Sequence, residues 1–232
     1  MKYFSFKKFD LQVSEEVFPI TTDTILLASW VNCKLAKSLL EVGIGSGAIS
    51  FLLESQNKTL DKVIGIDINK TAIELARQNT LQLKLDKMVF HQSDFQSFGS
   101  SCKFDHIVCN PPYFKNMLLS KEKLKQEAKH QIHFDFVEFA FFCNSNLNPQ
   151  GRVSMIIPTE QENFLAECFN RAKFQLSRLC SVYHEMGSES KLSMVEYSND
   201  MQVLEKSSLI MYQNKNGLKT KEFEAMTYNF LR

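Results

Sequence analysis

Short apolar runs, each closed by a polar, glycine-bearing or proline-bearing turn, alternate along this chain with segments whose apolar residues recur at helical spacing. The runs at 39–42, 62–67, 87–91, 104–109 and 152–157 predict buried strands. Between them, Ile49, Phe51, Leu52 and Leu53 begin one helix, and Ala72, Ile73, Ala76, Thr80 and Leu83 share one face of another. Residues 134–147 are apolar around most of the circumference and read as a buried helix, ended by Asn148-Pro149-Gln150-Gly151; residues 163–173 read as an amphipathic one. Strands alternating with helices predict an α/β chain with a mostly parallel sheet. Two later runs, 176–183 and 208–212, have a polar stretch (187–206) and no helix between them. They are expected to pair as an antiparallel hairpin at the sheet edge.

Residues 1–36 precede the first of these strands and read as an N-terminal extension. Phe4, Phe6 and Phe9 interleave with Ser5 and lysines, which suggests a short strand or hairpin arm. Thr21-Thr22-Asp23 stands before Ile25-Leu26-Leu27-Ala28 as a helix start. Capping alone explains these residues; the alternative places Thr22 and Asp23 over a ligand pocket. No internal repeat or linker divides the chain, so 1–232 is expected to be one domain with 1–36 packed on it.

The strand ends carry the candidate chemistry. The run 39–42 enters Gly43-Ile44-Gly45-Ser46-Gly47, and a helix follows, the arrangement that opens a doubly wound nucleotide-binding fold. The spacing is neither that of the dinucleotide fingerprint nor that of a P-loop. Glu41, just before the turn, would repel phosphates and suits a ligand bearing an ammonium group. Asp67 ends the next strand about 20 residues after the turn, where an acid gripping ribose hydroxyls is expected. Asn69 is placed to cap the following helix, which would leave Asp67 free. Asp94 and Phe95 follow the third strand and could meet an adenine amino group and ring; a surface turn is the alternative, and the recurrence of an acid at the same end of the same sheet favours the functional reading. The fourth strand stops at Asn110-Pro111-Pro112-Tyr113, because two prolines can neither continue a ladder nor enter a helix. An amide, fixed carbonyls and an aromatic ring at a strand's carboxyl end suit a planar molecule with an exocyclic amino group. Residues 115–129 are rich in lysine and read as a loop or lid beside that site, or as a solvated linker.

Composition narrows the picture little. Net charge is +1, so a nucleic-acid partner would rely on a local basic patch. The six cysteines form no Cys-x-x-Cys pair, which fits reduced thiols in a cytosolic core. His130 and His133 stand one helical turn apart without further ligands, so no metal is expected. No secretory leader or membrane-length apolar run is evident, and a cytoplasmic protein is expected.

Glu41-x-Gly43-x-Gly45-x-Gly47, the acids Asp67 and Asp94, and Asn110-Pro111-Pro112-Tyr113 together resemble class I S-adenosylmethionine-dependent methyltransferases of the Asn-Pro-Pro-Tyr type. Phe4-Ser5-Phe6-Lys7-Lys8-Phe9, the stretch Thr22-Asp23-Thr24-Ile25-Leu26-Leu27-Ala28-Ser29-Trp30, and a chain end with Glu222-Phe223 and Tyr228-Asn229-Phe230-Leu231 make it similar to the bacterial tRNA(Val) adenine-N6 methyltransferases. The resemblance implies a Rossmann-like, seven-stranded, mostly parallel sheet with a C-terminal antiparallel strand and helices on both faces. It implies S-adenosyl-L-methionine as cofactor, S-adenosyl-L-homocysteine as product, and a tRNA anticodon stem-loop as partner of a monomeric enzyme. Gly43, Gly45 and Gly47 would hold the methionine part, with Glu41 near its amino end, Asp67 on the ribose, and Asp94 and Phe95 at the adenine. Asn110, Pro111, Pro112 and Tyr113 would form the catalytic group, with Tyr113, Phe114, Lys129 and His130 on the substrate side. The family tends to carry arginine before that histidine; Lys129 keeps the charge but not the bidentate fork. The same motif serves ribosomal RNA guanine-N2 and protein glutamine-N5 methyltransferases, and a non-catalytic RNA-binding protein on this fold is the alternative outside enzymes.

Overall fold

The computed structural model describes residues 2–100, 102–112 and 134–231. The expected lid at 115–129, and Tyr113, Phe114, Lys129 and His130, lie outside the described residues.

The chain opens with a hairpin, β1 (Lys2–Ser5) and β2 (Asp10–Val13), paired antiparallel as a sheet of its own. Helix α1 (Thr22–Trp30) follows, its start capped by a box in which Thr21 and Thr24 answer each other. Next come β3 (Ser38–Val42), α2 (Ala48–Gln56), β4 (Lys62–Asp67), α3 (Lys70–Leu83), β5 (Met88–Gln92) and β6 (Phe104–Cys109). Helix α4 (Phe136–Asn146) starts at Asp135, whose carboxylate accepts from the Val137 and Glu138 amides. Then come β7 (Leu147–Pro158), α5 (Glu162–Arg171), β8 (Gln175–Glu185), β9 (Ser190–Ser198), β10 (Glu205–Tyr212) and α6 (Lys221–Thr227).

The main sheet has eight strands, in the order β10-β8-β9-β7-β6-β3-β4-β5, so the expectation of seven is one short. Only β9 runs against the rest, antiparallel to both β7 and β8. The strands read at 176–183 and 208–212 are therefore not a hairpin: β8 and β10 pair parallel, and β9, inside the stretch read as polar, is the hairpin partner of β8. β9 hides in the sequence because its buried positions are partly polar. Ser193, Glu196 and Ser198 are all 0% exposed. Glu196 accepts from Arg152 at 3.0 Å and Arg178 at 3.2 Å, and Ser154 Oγ donates to it at 3.2 Å. Arg178 in turn lies 4.2 Å over the Trp30 ring and ties this network to α1. A buried charge needs such partners, and their supply lets a glutamate sit mid-strand. Asn148-Pro149-Gln150-Gly151 likewise does not separate helix from strand. It lies within β7, where the pairing with β6 shifts register and Gln150 takes a φ of 64°.

Alternate strand residues feed two apolar layers. Leu39, Val63, Phe90 and Val108 pack with α1, α2, the N-terminal hairpin and Phe223 of α6. Leu40, Ile64, Ile66, Ile107 and Cys109 pack on the other face with α4 and α5. The two termini meet where the Lys7 amide donates to the Phe230 carbonyl at 2.9 Å. No helix among the described residues is long and apolar enough to cross a membrane.

Candidate active site

Four neighbouring strands, β6, β3, β4 and β5, end level with one another, Cys109 and Ile66 each pairing with Val42, and Gln92 with Asp67. Their carboxyl ends bring together Asn110, the glycine turn, Asp67 and Asp94, at the edge where open α/β sheets bind ligands.

The turn is shaped by conformation and by close approach. Gly43, Gly45 and Gly47 all have positive φ, at 75°, 52° and 83°. Gly47 begins α2, and a Cβ there would stand 2.5 Å from the Phe51 ring, so a side chain is excluded both by the backbone and by space. The amides of Gly43 and Ile44 both donate to the Ile66 carbonyl, at 2.9 and 3.1 Å, which staples the turn to the end of β4. Gly65, in the middle of β4, makes this seat possible. A Cβ on it would lie 2.0 Å from Ile44 Cδ1 and 2.8 Å from Phe90. A glycine inside an otherwise apolar strand was the available signal, since it marks close approach.

Glu41 is 2% exposed and turned into the protein, where Oε2 accepts from the Ser50 amide at 2.9 Å and the Ser50 hydroxyl at 2.5 Å. Burial pushes its carboxyl up to about 8, against the Ser50 hydrogen bonds and with help from the charge of Asp67. Its structural task is thus to hold α2 to β3. Asp67 is not left free either. Asn69 does cap α3, accepting from the Thr71 amide at 2.9 Å, yet Asp67 Oδ1 accepts from the Asn69 amide at 2.8 Å and Oδ2 from the Gly45 amide at 2.9 Å. Asp94 caps a short 3₁₀ turn through the Gln96 amide at 3.0 Å. Phe95 is a core residue: it is 8% exposed, with its ring 5.2 to 5.6 Å from those of Phe134, Phe139 and Phe142. Cys109, just before Asn110, is buried, and burial raises its thiol far above the usual range, which makes it inert.

Asn110 differs from these groups. It is half-buried, and no hydrogen bond to another described residue occupies its carboxamide. Pro111 is buried behind it and Pro112 exposed. Such a carboxamide can offer both its acceptor and its donors to an incoming ligand.

A family model described as a methyltransferase domain matches residues 34–217. A tRNA1(Val) (adenine(37)-N6)-methyltransferase of Vibrio campbellii is 34% identical over 78% of this chain and 76% of its own. A namesake from a Flavobacteriaceae bacterium is 29% identical over 99% of this chain and 98% of its own. Among solved structures, a predicted O-methyltransferase of Agrobacterium tumefaciens superposes with a TM-score of 0.68 at 16% identity, over 90% of this chain and 96% of that one. A methyltransferase of Pyrococcus furiosus superposes with a TM-score of 0.61 at 17% identity, over 84% and 91%. These likenesses give the fold as that of class I methyltransferases, and the sequence matches place the chain within it. The chain belongs to the tRNA1(Val) (adenine(37)-N6)-methyltransferase family.

Proposed function

We propose that this protein methylates the exocyclic N6 of an adenine in tRNA, the adenine 3′ of the anticodon of tRNA(Val), using S-adenosyl-L-methionine. The observation that carries the reading is the open carboxamide of Asn110, level with the glycine turn at the carboxyl edge of the sheet. The names of the relatives support the same substrate.

The residues present fit the cofactor. Gly43 is exposed, and among the described residues nothing beyond its chain neighbours comes within 4 Å of where its Cβ would be, which leaves room for a ligand at the turn. Gly43, Gly45 and Gly47 would hold the methionine part, and Asp67 would share its carboxylate between the turn and ribose hydroxyls. Asp94 would face the adenine; Phe95, packed in the core, would at most lend an edge. Glu41 would act near the amino end from behind the turn, through α2. When bound, the cofactor supplies an electrophilic methyl group. Asn110 Oδ1 and the Pro111 carbonyl accept hydrogen bonds from the target amino group. That draws the nitrogen lone pair out of conjugation with the ring and aims it. Pro111 and Pro112 fix the backbone, so the acceptors are set before the substrate arrives. The target base must leave its stack to reach them. Tyr113 would stack on it, with Phe114, Lys129 and His130 beside it on the tRNA side. The chemistry calls for no metal. We take the chain as one cytoplasmic unit, residues 1–36 included, acting as a monomer on the anticodon stem-loop.

The test is methyl transfer from labelled S-adenosyl-L-methionine to tRNA from a strain lacking this protein, followed by nucleoside mass spectrometry. N6-methyladenosine in tRNA(Val) is expected. Label in another nucleoside, or none, would overturn the reading.

A further inference from the structure

Asn79, in the third turn of α3, is 0% exposed, and its side chain serves two other segments rather than its own helix. Oδ1 accepts from the Gln12 amide at 2.8 Å. Nδ2 donates to the Gln12 carbonyl at 3.1 Å and to the Ser46 carbonyl at 3.3 Å. Gln12 lies in β2, whose other edge pairs with β1, so the carboxamide acts as a one-residue strand on the free edge of the hairpin. Ser46 stands between Gly45 and Gly47 in the turn. One buried side chain thus bonds the N-terminal hairpin and the glycine turn at once.

The chain between them depends on the same anchor. After β2 it passes along the turn, where the Glu16 carbonyl accepts from Asn69 Nδ2 at 3.1 Å and Val17 is buried against Ala72 and Leu75 of α3. The Phe18 carbonyl and Val17 Cγ1 each come within 4.0 Å of the position a Cβ on Gly45 would take. Residues 16–18 therefore form a wall beside the turn. Asn79 holds the root of that wall through Gln12 and the turn itself through Ser46.

We infer that Asn79 is a positioning residue that fixes the gap between the glycine turn and the N-terminal segment, and thereby the affinity for the cofactor. The inference rests on the glycine turn being the cofactor cradle. It assigns residues 1–36 a part in cofactor binding.

The test is isothermal titration of the full-length protein with S-adenosyl-L-homocysteine, with thermal unfolding measured in parallel. Asn79→Asp keeps the shape and the acceptor for the Gln12 amide but sets an oxygen against the Gln12 and Ser46 carbonyls. It is expected to raise the dissociation constant about ten-fold, the loss that goes with one buried hydrogen bond. Turnover at saturating cofactor and KM for tRNA should stay within about two-fold, because no group near Asn110 changes. Ile73→Val, a core change on the same helix that leaves all three hydrogen bonds of Asn79 in place, should lower the unfolding temperature and leave the affinity alone. Should Asn79→Asp fail to fold, Asn79→Ser takes its place, with the same expectation. A folded Asn79 variant with wild-type affinity would overturn the inference, as would equal weakening by Ile73→Val. A wild-type protein that takes up no S-adenosyl-L-homocysteine would instead overturn the reading of the turn.

Discussion

The amide of Gly45 donates to Asp67 Oδ2 at 2.9 Å, so the acid at the end of β4 is also a strut of the glycine turn. Its other oxygen holds the start of α3 through the Asn69 amide at 2.8 Å. The carboxylate proposed to grip a ribose is thus fixed in direction before any ligand arrives, the preorganisation that keeps ordering costs out of binding.

Replacing Asp67 by alanine should therefore cost stability as well as affinity. Two hydrogen bonds from backbone amides to a carboxylate are lost, and the amides face water at a half-exposed site, so a loss of about 2 kcal/mol is expected. Asp67→Asn, which can still accept one of them, should lose about half of that. Urea unfolding of the three proteins gives the order. Equal stability of Asp67→Ala and wild type would show that the strut carries no weight.

Gly65 makes a separate prediction, because it acts through shape alone. In Gly65→Ala the new methyl group meets Ile44 of the turn and the Phe90 ring. Both are buried, and overpacking of this kind costs about 1–3 kcal/mol. If Ile44 moves to relieve it, the turn moves as well, and cofactor affinity should fall with stability. An alanine variant that unfolds at the wild-type temperature and binds normally would mean that the close seat of the turn on β4 is not needed.

How far the sequence discloses this structure depends on how each residue is buried. The strands on either side of the glycine turn announce themselves because both their faces are apolar, as in Leu39-Leu40 and Val63-Ile64. Asn69 was legible as a cap, and Asn110-Pro111-Pro112 as a strand stop. β9 was not, since Ser193 and Glu196 are buried where Thr159, Arg152, Arg178 and Ser154 reach them from elsewhere in the fold, while Ser198 is satisfied by Asp200 just past the strand. Periodicity cannot register a partner supplied by another strand. The same holds at the site. The positions of Glu41, Asp67 and Phe95 were legible, but Ser50, the Gly45 amide and the ring of Phe134 decide what those side chains touch. Asn79 gave no sign at all, because a polar residue on a helix reads as solvent-facing until its three backbone partners are known.

The buried Glu41 carboxyl makes stability depend on pH. Its ordinary value of 4.5 is raised to about 8 in the folded protein, so between these values the folded state keeps a proton that the unfolded state has lost. Folding is then favoured at low pH, and this contribution is lost as pH rises from about 4.5 to 8, with a slope of up to ~1.4 kcal/mol per pH unit. Glu41→Gln cannot titrate. Relative to that variant, wild type should lose stability steadily from pH 5 to pH 8, while the buried His106 acts equally in both and cancels. A stability difference independent of pH over that range would mean that Glu41 is ionised in the folded state.

Asn110 should separate chemistry from cofactor binding. Its carboxamide has no hydrogen-bond partner among the described residues, so removing it strands no buried group, and Asn110→Ala should fold with little change in unfolding temperature. The proposed cofactor cradle is built from β3, β4 and α2, none of which leans on this side chain, so affinity for S-adenosyl-L-homocysteine should also hold. Turnover should fall at least ~100-fold, the loss typical of a preorganised polar group aimed at the reacting centre. Asn110→Asp discriminates further. A carboxylate still accepts hydrogen bonds from the target amino group, so partial recovery over alanine is expected if acceptance is what the residue contributes. If aspartate is no better than alanine while both bind cofactor normally, the amide's donors matter too, and Asn110 orients a second atom of the base.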